Sequence, residues 1–529
     1  MKRNFSALGQ QHFDLLVCGG GIYGAWTAYD AALRGLHVAL IDQGDWAGAT
    51  SSASSKLIHG GLRYLENYDF KLVRKSLQER TMLLHAAPHR VWPLRFGIPV
   101  YAAHRFNRLQ LKLGLTAYDF LSGDTDPAMH HQYHDTDQFT RHFPFITTAK
   151  LKGGFSYADA QTDDARLVLE LVDGAQQAGA CCVNYCQLLS LQDNSPDLHN
   201  ITVQDRISLA TQTIHARQIV FTTGQWLAEN EPSREWCQLS KGVHLVMPAV
   251  MQDEAMLLTT PSDGRVFFMI PWYGMTLLGT TDTGFDAGTQ PMRVESREID
   301  YLLEAANVYL KHNWTRDDVI GSFAGVRVFK RPSGTPSTLS PSALSRDWEL
   351  RSVSSGVHYA IGGKITSSRQ DASHIVDTVC QQLGLSVPCA TDGRIFPWAP
   401  QDNFATWSMT LSAQAQQSGI DTECTKWLLR RHGTRITDLL QRVAADASLA
   451  QRIVPSLPFI RAELVHCAAT EMVVHLDDLL RRRLPLLILA KLSRDQLDQI
   501  AVSVAPAAGW DNARQHQEVN RCTALQDRS

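Results

Sequence analysis

The chain lacks the features that mark several classes of protein. Its 529 residues contain 50 lysines and arginines against 53 aspartates and glutamates, so there is no general basic excess. A dedicated nucleic-acid-binding protein usually carries a clustered basic excess, and we therefore expect no nucleic-acid partner. At about 150 residues per domain, this length predicts two to four domains.

Paired cysteines and long apolar runs are also missing. The ten cysteines form no Cys-x-x-Cys pair, which excludes a small disulfide scaffold and gives no metal-binding motif. The first residues are too polar for a signal peptide, and no run approaches the ~20 apolar residues of a membrane-spanning helix. The longest apolar run, residues 484–492 behind three arginines, indicates either a buried helix or an interfacial one. We expect a cytoplasmic protein.

The first 42 residues predict a single βαβ unit. Residues 13–18 (FDLLVC) form an apolar run typical of a buried strand, three glycines follow, and residues 22–34 have the pattern of a helix. Residues 37–42 (HVALID) predict the next strand, so the whole unit fits in 30 residues.

Three glycines and an aspartate in this unit predict a dinucleotide site. In the motif Gly19-x-Gly21-x-x-Gly24, the first glycine allows the turn, the second admits a pyrophosphate, and the third lets helix and strand pack closely. The helix N-terminus stabilises the diphosphate charge, and Asp42 accepts hydrogen bonds from ribose hydroxyl groups.

A serine- and glycine-rich run favours FAD over a nicotinamide cofactor. Residues 48–61 (GATSSASSKLIHGG) contain Ser51, Ser52, Gly60 and Gly61, which offer more hydroxyl and backbone donors than a nicotinamide cofactor needs. Two later predicted strands also end in glycine, at Gly224 and at residues 362–363. Three approaches of the backbone to one ligand suit a long cofactor that lies extended.

Further along, the pattern changes twice. Short apolar runs broken by turn residues predict an antiparallel sheet at about 240–355. A strand at 357–361 and a helix to about 382 follow. Residues 427–445 and 461–492 are predicted to be helical and form a C-terminal domain.

These motifs resemble the FAD-dependent, quinone-linked glycerol-3-phosphate dehydrogenases. The resemblance starts in GATSSASSKLIHGGLRYLENYDFKLV and continues, in the order of the family, over nearly the whole chain. The later motifs are DDARL (163–167), KGVHLV (241–246), IPW and GTTDT (270–283), FAGVRV (323–328), SRDWEL (345–350), GGKIT (362–366) and PFIRAELVHCAATEMVVHLDDLLRRR near the C-terminus.

The resemblance implies an α/β fold with three parts. A glutathione-reductase-like, Rossmann-type FAD domain would comprise residues 1–105, 150–240 and 355–392. A substrate domain with a mixed sheet would comprise residues 106–149 and 241–354. Residues 395–529 would form a helical C-terminal cap.

The resemblance also implies an activity and a set of site residues. The family oxidises sn-glycerol 3-phosphate to the 2-keto product by hydride transfer to FAD and passes the electrons to a quinone at the inner face of the membrane. No metal is implied. The catalytic residues would be His244 and Arg327, and the substrate-binding residues would be Arg63, Tyr64, Arg346 and Lys364. The FAD-binding residues would be Gly19, Gly21, Gly24, Asp42, Ser51, Ser52, Gly60, Gly61, Gly224, Gly363 and Thr366.

The chemistry of these side chains agrees with such roles. Guanidinium and ammonium groups bind a phosphate dianion through charge-assisted hydrogen bonds. Arginine is a poor base because its pKa exceeds ~12. We therefore assign proton acceptance to His244 and stabilisation of the developing oxyanion to Arg327.

Three departures from the family pattern leave alternatives open. Gln225 follows the second glycine turn, Val328 follows Arg327, and Ser368 stands where the family has a different residue. Because of these changes, a close phosphorylated or phosphonate analogue is an alternative substrate to glycerol 3-phosphate itself. The alternative function is a related flavoprotein oxidase that acts on another small hydroxy or amino substrate with dioxygen. A third alternative is a flavin-binding protein without turnover.

Overall fold

A computed structural model describes residues 1–102, 107–195, 198–229, 233–286, 292–331 and 347–527. These residues form two β-sheets, helices that cover them, and an all-helical C-terminal region. The chain is therefore an α/β protein with the predicted Rossmann-type unit and helical C-terminal part.

The βαβ unit is present at the N-terminus. Strand β1 (His12–Cys18), helix α1 (Ile22–Leu33) and strand β2 (Val38–Ile41) all begin and end within one residue of the predicted bounds. The two strands pair in parallel. Both are largely buried, which explains why their sequences are continuous apolar runs and do not alternate.

The first sheet brings three glycine turns to one edge. Strands β10 and β18 run parallel to β1 in the order β18-β10-β1-β2-β7, and β17 adds antiparallel to β18. The carboxyl ends of β1, β10 and β18 therefore lie together. The other strands of this sheet are β7 (Cys181–Val183), β8 (Cys186–Ser195), β9 (Leu198–Asp205), β10 (Thr211–Phe221), β17 (Trp348–Ser354) and β18 (Val357–Gly362).

The second sheet is mixed and is mostly antiparallel. Strand β11 pairs with β14, β15 and β16, while β4 and β12 form a parallel pair. Its strands are β3 (Leu57–Ile58), β4 (Val91–Tyr101), β5 (Gln132–His134), β6 (Leu151–Thr162), β11 (Cys237–Met247), β12 (Glu254–Thr259), β13 (Val266–Trp272), β14 (Met275–Gly279), β15 (Thr283–Phe285) and β16 (Gly321–Lys330).

Within the described ranges, six further helices accompany the sheets. Helix α1 packs against α5 and α7, and α2 packs against α3. The helices are α2 (Phe70–Ala86), α3 (Arg108–Ser122), α4 (Thr136–His142), α5 (Asp164–Gln177), α6 (Ser296–Asn307) and α7 (Ser368–Gln382).

The C-terminal region is helical, but its helices are shorter than predicted. The predicted helix 427–445 is divided at Gly433, whose φ of +53° is a left-handed conformation that interrupts a right-handed helix. The predicted helix 461–492 is divided into several pieces, with a π-helical turn at Leu479–Arg483. The helices are α8 (Phe404–Gln417), α9 (Thr422–His432), α10 (Ile436–Ala445), α11 (Arg461–Thr470), α12 (Leu476–Asp478), α13 (Leu486–Leu489), α14 (Arg494–Ala508) and α15 (Asn512–Gln526).

The apolar run at 484–492 lies inside the protein. Its leucines, among them Leu484, Leu486 and Leu489, are buried in the same core as the second sheet. The buried alternative is therefore correct, and this run is not a membrane contact. Among the described residues, none of the helices has the length and apolar character to cross a membrane.

Four strands belong to a different sheet from the one that the predicted domain ranges imply. Strands β3, β4 and β6 fall within the predicted FAD-domain ranges but belong to the second sheet, whereas β17 falls within the predicted substrate-domain range but belongs to the first. The domain boundaries themselves stay a prediction.

Candidate active site

A cleft of about 1510 Å³ is lined by residues of both sheets and of the C-terminal region. It is larger than a typical small-molecule pocket and has room for an extended ligand together with a second small molecule. Most of the predicted site residues line it: Gly19, Gly21, Asp42, Ser51, Gly61, Arg63, Tyr64, Gly224, His244, Arg327, Gly363, Lys364 and Thr366.

The glycine turn has the geometry that a diphosphate requires. Gly19 has a φ of +113°, and a Cβ atom there would lie 2.7 Å from the carbonyl oxygen of Thr222. A Cβ on Gly24 would overlap the carbonyl oxygen of Gly19, so this glycine permits the close packing of α1 on β1. At the start of α1, the backbone N–H of Ile22 donates to Oγ of Ser51 at 2.9 Å.

Asp42 joins the end of β2 to the glycine turn. Its carboxylate accepts hydrogen bonds from the backbone N–H groups of Gly20 (2.6 Å) and Gly44 (2.7 Å). Burial raises the pKa of Asp42 to about 6, although these two hydrogen bonds oppose the rise. Each carboxylate oxygen has a further lone pair, so the group can also accept from ribose hydroxyl groups.

The later glycine turns line the same cleft. Gly224 follows β10 and Gly363 follows β18. A Cβ on Gly363 would overlap the hydroxyl group of Tyr23, which donates to Asp371. Two other predicted residues do not line the cleft but form hydrogen bonds that hold the serine-rich run. Ser52 donates to the carbonyl oxygen of Ala49, and the N–H of Gly60 donates to Asp159.

His244 lies on β11, opposite Gly279 of β14 and Phe323 of β16. Its ring stacks on that of Phe323, and its Nε2 atom lies 2.9 Å from Oγ of Ser55. Burial, together with the positive charges of Arg327 and Lys56, lowers the pKa of His244 well below the ordinary 6.5. The imidazole is therefore neutral near pH 7 and can accept a proton.

Arg327 is fixed on β16 by neighbours from the segment after β14. It donates to the carbonyl oxygen of Thr281 (3.1 Å) and to Oγ1 of Thr280 (3.0 Å), and Asp282 lies 3.5 Å away. A guanidinium group held in this way is a fixed positive charge beside His244.

The predicted phosphate-binding residues come from two distant segments. Nζ of Lys364 lies 4.7 Å from the centre of the Tyr64 ring, and Arg63 lines the cleft next to this pair. Lys364 follows β18, whereas Arg63 and Tyr64 follow the serine-rich run. Arg346 lies outside the described residues.

Sequence reasoning did not identify Ser54, Ser55 and Lys56, which connect the serine-rich run to Asp164 and His244. Lys56 is buried, and its Nζ atom donates to Asp164 (2.6 Å) and to the carbonyl oxygen of Ser52 (2.6 Å). The hydroxyl group of Ser54 donates to the same carboxylate, while Ser55 contacts His244. All of these serines belong to the serine-rich run, but nothing in their spacing distinguishes a residue that contacts the imidazole from one that contacts a cofactor.

Two family models cover most of the chain. Residues 14–369 match the model described as "FAD dependent oxidoreductase", and residues 401–515 match the "C-terminal domain of alpha-glycerophosphate oxidase".

Curated relatives and a solved structure agree with these matches. The chain is 34% identical to glycerol-3-phosphate dehydrogenase of Synechocystis sp., over 98% of this chain and 97% of that protein. It is 31% identical to aerobic glycerol-3-phosphate dehydrogenase of Bacillus subtilis, over 91% and 88%. The structure of glycerol-3-phosphate dehydrogenase from Bacillus halodurans complexed with FAD superposes with a TM-score of 0.79 at 26% identity, covering 99% of this chain and 96% of that one.

Proposed function

This chain belongs to the FAD-dependent glycerol-3-phosphate dehydrogenases, and we propose that it oxidises glycerol 3-phosphate at C2 to dihydroxyacetone phosphate and passes the electrons to a quinone. The observation that carries the proposal is the shared cleft. It joins the dinucleotide-binding turn to a neutral buried imidazole and to cationic side chains from three segments of the chain.

FAD fits the residues that line the cleft. The side-chain-free turn at residues 19–21 leaves space for a diphosphate at the N-terminus of α1, and Asp42 stands where a ribose would donate to it. The turns at Gly224 and Gly363 bring backbone to the same cleft from β10 and β18. When it is bound, FAD supplies the hydride acceptor for the reaction.

We propose that His244 accepts the proton of the C2 hydroxyl group. Its lowered pKa keeps the imidazole neutral at physiological pH, so no proton has to be removed before it acts as a base. Arg327 would hold the oxygen on which negative charge develops as the proton leaves. The contacts of Arg327 with Thr280 and Thr281 orient its guanidinium group before the substrate arrives.

The substrate phosphate would be held by Arg63, Tyr64 and Lys364, and, by resemblance, by Arg346. A dianion beside two or more fixed cations gains charge-assisted hydrogen bonds. Such a set of residues favours a phosphorylated substrate over an amine. The departures at Gln225, Val328 and Ser368 leave a close phosphorylated or phosphonate analogue within the proposal.

An exposed apolar face supports a peripheral membrane contact. On α3, the side chains of Leu109 (66% exposed), Leu113 (63%) and Phe120 (85%) stand in the open, and Tyr68 (79%) precedes the neighbouring helix α2. The exposed cations Arg108, Lys112, Lys71 and Arg74 accompany them. Exposed apolar side chains with cations on the same helices are typical of a surface that binds an anionic bilayer.

This face lies next to the proposed substrate site. Helix α3 packs against α2 and against the turn at Leu62–Asn67, which carries Arg63 and Tyr64. Membrane contact at α3 would therefore bring the lipid phase, in which quinones dissolve, close to the cleft.

Anaerobic reduction of the bound flavin tests the proposed reaction. Glycerol 3-phosphate should bleach the yellow protein, whereas glycerol at the same concentration should do so poorly because it lacks the phosphate. The reduced protein should then be reoxidised faster by a short-chain quinone than by air. Rapid reoxidation by air with no response to quinone would contradict the proposed acceptor and favour an oxidase.

Vesicle flotation tests the membrane contact. The parent protein should float with anionic vesicles, and Leu109→Glu/Leu113→Glu should not. Leu209→Glu is a matched control because Leu209 is equally exposed (68%) but stands apart on the turn between β9 and β10. Equal flotation of the parent protein and the double variant would contradict the assignment of α3.

A further inference from the structure

Two arginines before the apolar run 484–492 form ion pairs with an aspartate near the N-terminus of the chain. Arg482 and Arg483 belong to the π-helical turn Leu479–Arg483 of the C-terminal region, and both are buried. Nε of Arg482 donates to Oδ2 of Asp45 at 2.5 Å, and Nη2 of Arg483 donates to Oδ1 at 3.0 Å. Two arginines therefore hold one carboxylate that lies more than 430 positions away in the chain.

Asp45 belongs to the loop that connects β2 to the serine-rich run. The same loop contains Asp42, which binds the backbone of Gly20, and the backbone N–H of Ala47 donates to the carbonyl oxygen of Gly20 at 3.0 Å. The ring of Trp46 lies so close to Gly20 that a Cβ atom there would overlap it. Any displacement of this loop therefore moves the dinucleotide-binding turn as well.

The C-terminal region makes further contacts with this loop and with the first sheet. Asp478 accepts from Arg482 (2.5 Å) and from the hydroxyl group of Tyr185 (2.6 Å), which follows β7 of the first sheet. The Nε1 group of Trp46 contacts the sulfur atom of Met472 at 3.4 Å. Buried charges of this kind are stable only when their partners are in place, so the loop and the turn Leu479–Arg483 are held in position together.

The cleft itself extends to the C-terminal region. His475, Asp477, Arg482 and Arg521 line it together with Asp42 and Tyr185, and Arg482 there contacts Asp45 of the loop that carries Asp42. Asp477 is in turn paired with Arg521. The wall of the cleft near this loop is therefore built from both halves of the chain.

We propose that the C-terminal region is part of the cofactor site, in which Arg482 and Arg483 hold the loop 42–48 in the conformation that binds the adenosine half of FAD. Docking of the turn Leu479–Arg483 and retention of FAD are then thermodynamically coupled, so each stabilises the other to the same extent. This inference concerns the cofactor alone and does not depend on the substrate or on the electron acceptor.

Cofactor affinity of charge-deleted variants is the first test. FAD is removed from the parent protein, Arg482→Gln and Arg483→Gln, and the dissociation constant is measured by fluorescence titration with FAD. We expect the two variants to bind FAD roughly 5–150-fold more weakly than the parent, the usual range for coupled sites. Arg494→Gln is the control, because Arg494 forms an exposed ion pair with Asp498 in the same region and should leave the affinity unchanged.

Hydrogen–deuterium exchange of the parent protein is the second test and requires no variant to fold. Bound FAD should slow amide exchange in the loop 42–48 and also in residues 479–483. Exchange at 479–483 that is the same with and without FAD would overturn the proposal, as would parental FAD affinity in folded Arg482→Gln and Arg483→Gln. Neither test uses substrate, so an error in the proposed reaction would leave these results unaffected.

Discussion

The hydroxyl oxygen of Ser55 lies 2.9 Å from Nε2 of His244, although 189 positions separate the two residues in the chain. The other ring nitrogen, Nδ1, has no hydrogen-bond partner within the described ranges. Because the ring stacks on Phe323, the contact with Ser55 selects one of the two ring orientations that differ by a 180° rotation about the Cβ–Cγ bond. Ser55 is therefore a positioning residue for the proposed base.

Removal of this hydroxyl group should slow flavin reduction without loss of the cofactor. Loss of one neutral hydrogen bond is worth about 1 kcal/mol, so we expect Ser55→Ala to reduce flavin roughly fivefold more slowly than the parent. Ser55→Thr, which keeps the hydroxyl group, should recover most of the rate. Stopped-flow absorbance measures both, and parental rates in Ser55→Ala would contradict the positioning role.

Replacement of the base itself should have a much larger effect. We expect His244→Gln to lower the rate of flavin reduction by roughly 10²–10⁴-fold, with little change in the affinity for glycerol 3-phosphate. Single-turnover reduction over a range of substrate concentrations separates the two quantities. If this variant reduces its flavin at the parental rate, the base is another group.

The pH dependence should reflect the lowered pKa of His244. Burial disfavours the charged imidazolium, so the neutral base persists as the pH falls through 6.5, and activity should decline only at lower pH. The measurement is flavin reduction at saturating substrate, because the phosphate of the substrate itself has a second pKa of about 6. An inflection near pH 6.5 that disappears in His244→Gln would contradict the lowered value.

Removal of a phosphate-binding cation should weaken binding more than it slows the chemical step. We expect Lys364→Met to lose about 1.5–3 kcal/mol of binding free energy for glycerol 3-phosphate, seen mainly as a raised KM. Oxidation of glycerol by the same variant is the matched control, because glycerol has no phosphate to lose. An equal loss with both substrates would show that Lys364 acts elsewhere.

A side chain in the glycine turn should expel FAD. A Cβ on Gly21 would already lie 3.0 Å from Oγ of Ser51, and the methyl groups of Gly21→Val would occupy the space for the diphosphate. Gly284→Val is the control, since no atom of the described residues lies within 4 Å of a Cβ at Gly284. Visible absorbance of the purified proteins measures the flavin content, and a fully yellow Gly21→Val protein would contradict this placement.

The buried ion pair between Lys56 and Asp164 should contribute to the stability of the fold. Lys56→Met leaves the carboxylate of Asp164 buried without its cation, which we expect to cost about 3–5 kcal/mol. Arg316→Met breaks the exposed pair with Asp300, whose charges are screened by solvent, and should destabilise the protein much less. Apparent melting temperatures compare the two variants, and equal values would mean that the Lys56–Asp164 pair contributes no more than a surface pair.

The sequence by itself determined the dinucleotide-binding unit and the class of the fold. The unit depends on interactions between near neighbours: apolar runs, a glycine turn and a helix within 30 residues of chain. Its bounds were therefore predicted to within one residue. The helices of the C-terminal region were predicted less well, because Gly433 and the π-helical turn Leu479–Arg483 interrupt an otherwise continuous helical pattern.

Only the tertiary structure decided which distant side chains meet and which apolar side chains face the solvent. The contacts Ser55–His244 and Asp45–Arg482 join residues 189 and 437 positions apart, and no local pattern records them. The leucines of run 484–492 are buried, while Leu109 and Leu113 of α3 are exposed, although the residue type is the same. Burial depends on what packs against a segment, and packing is a property of the assembled chain.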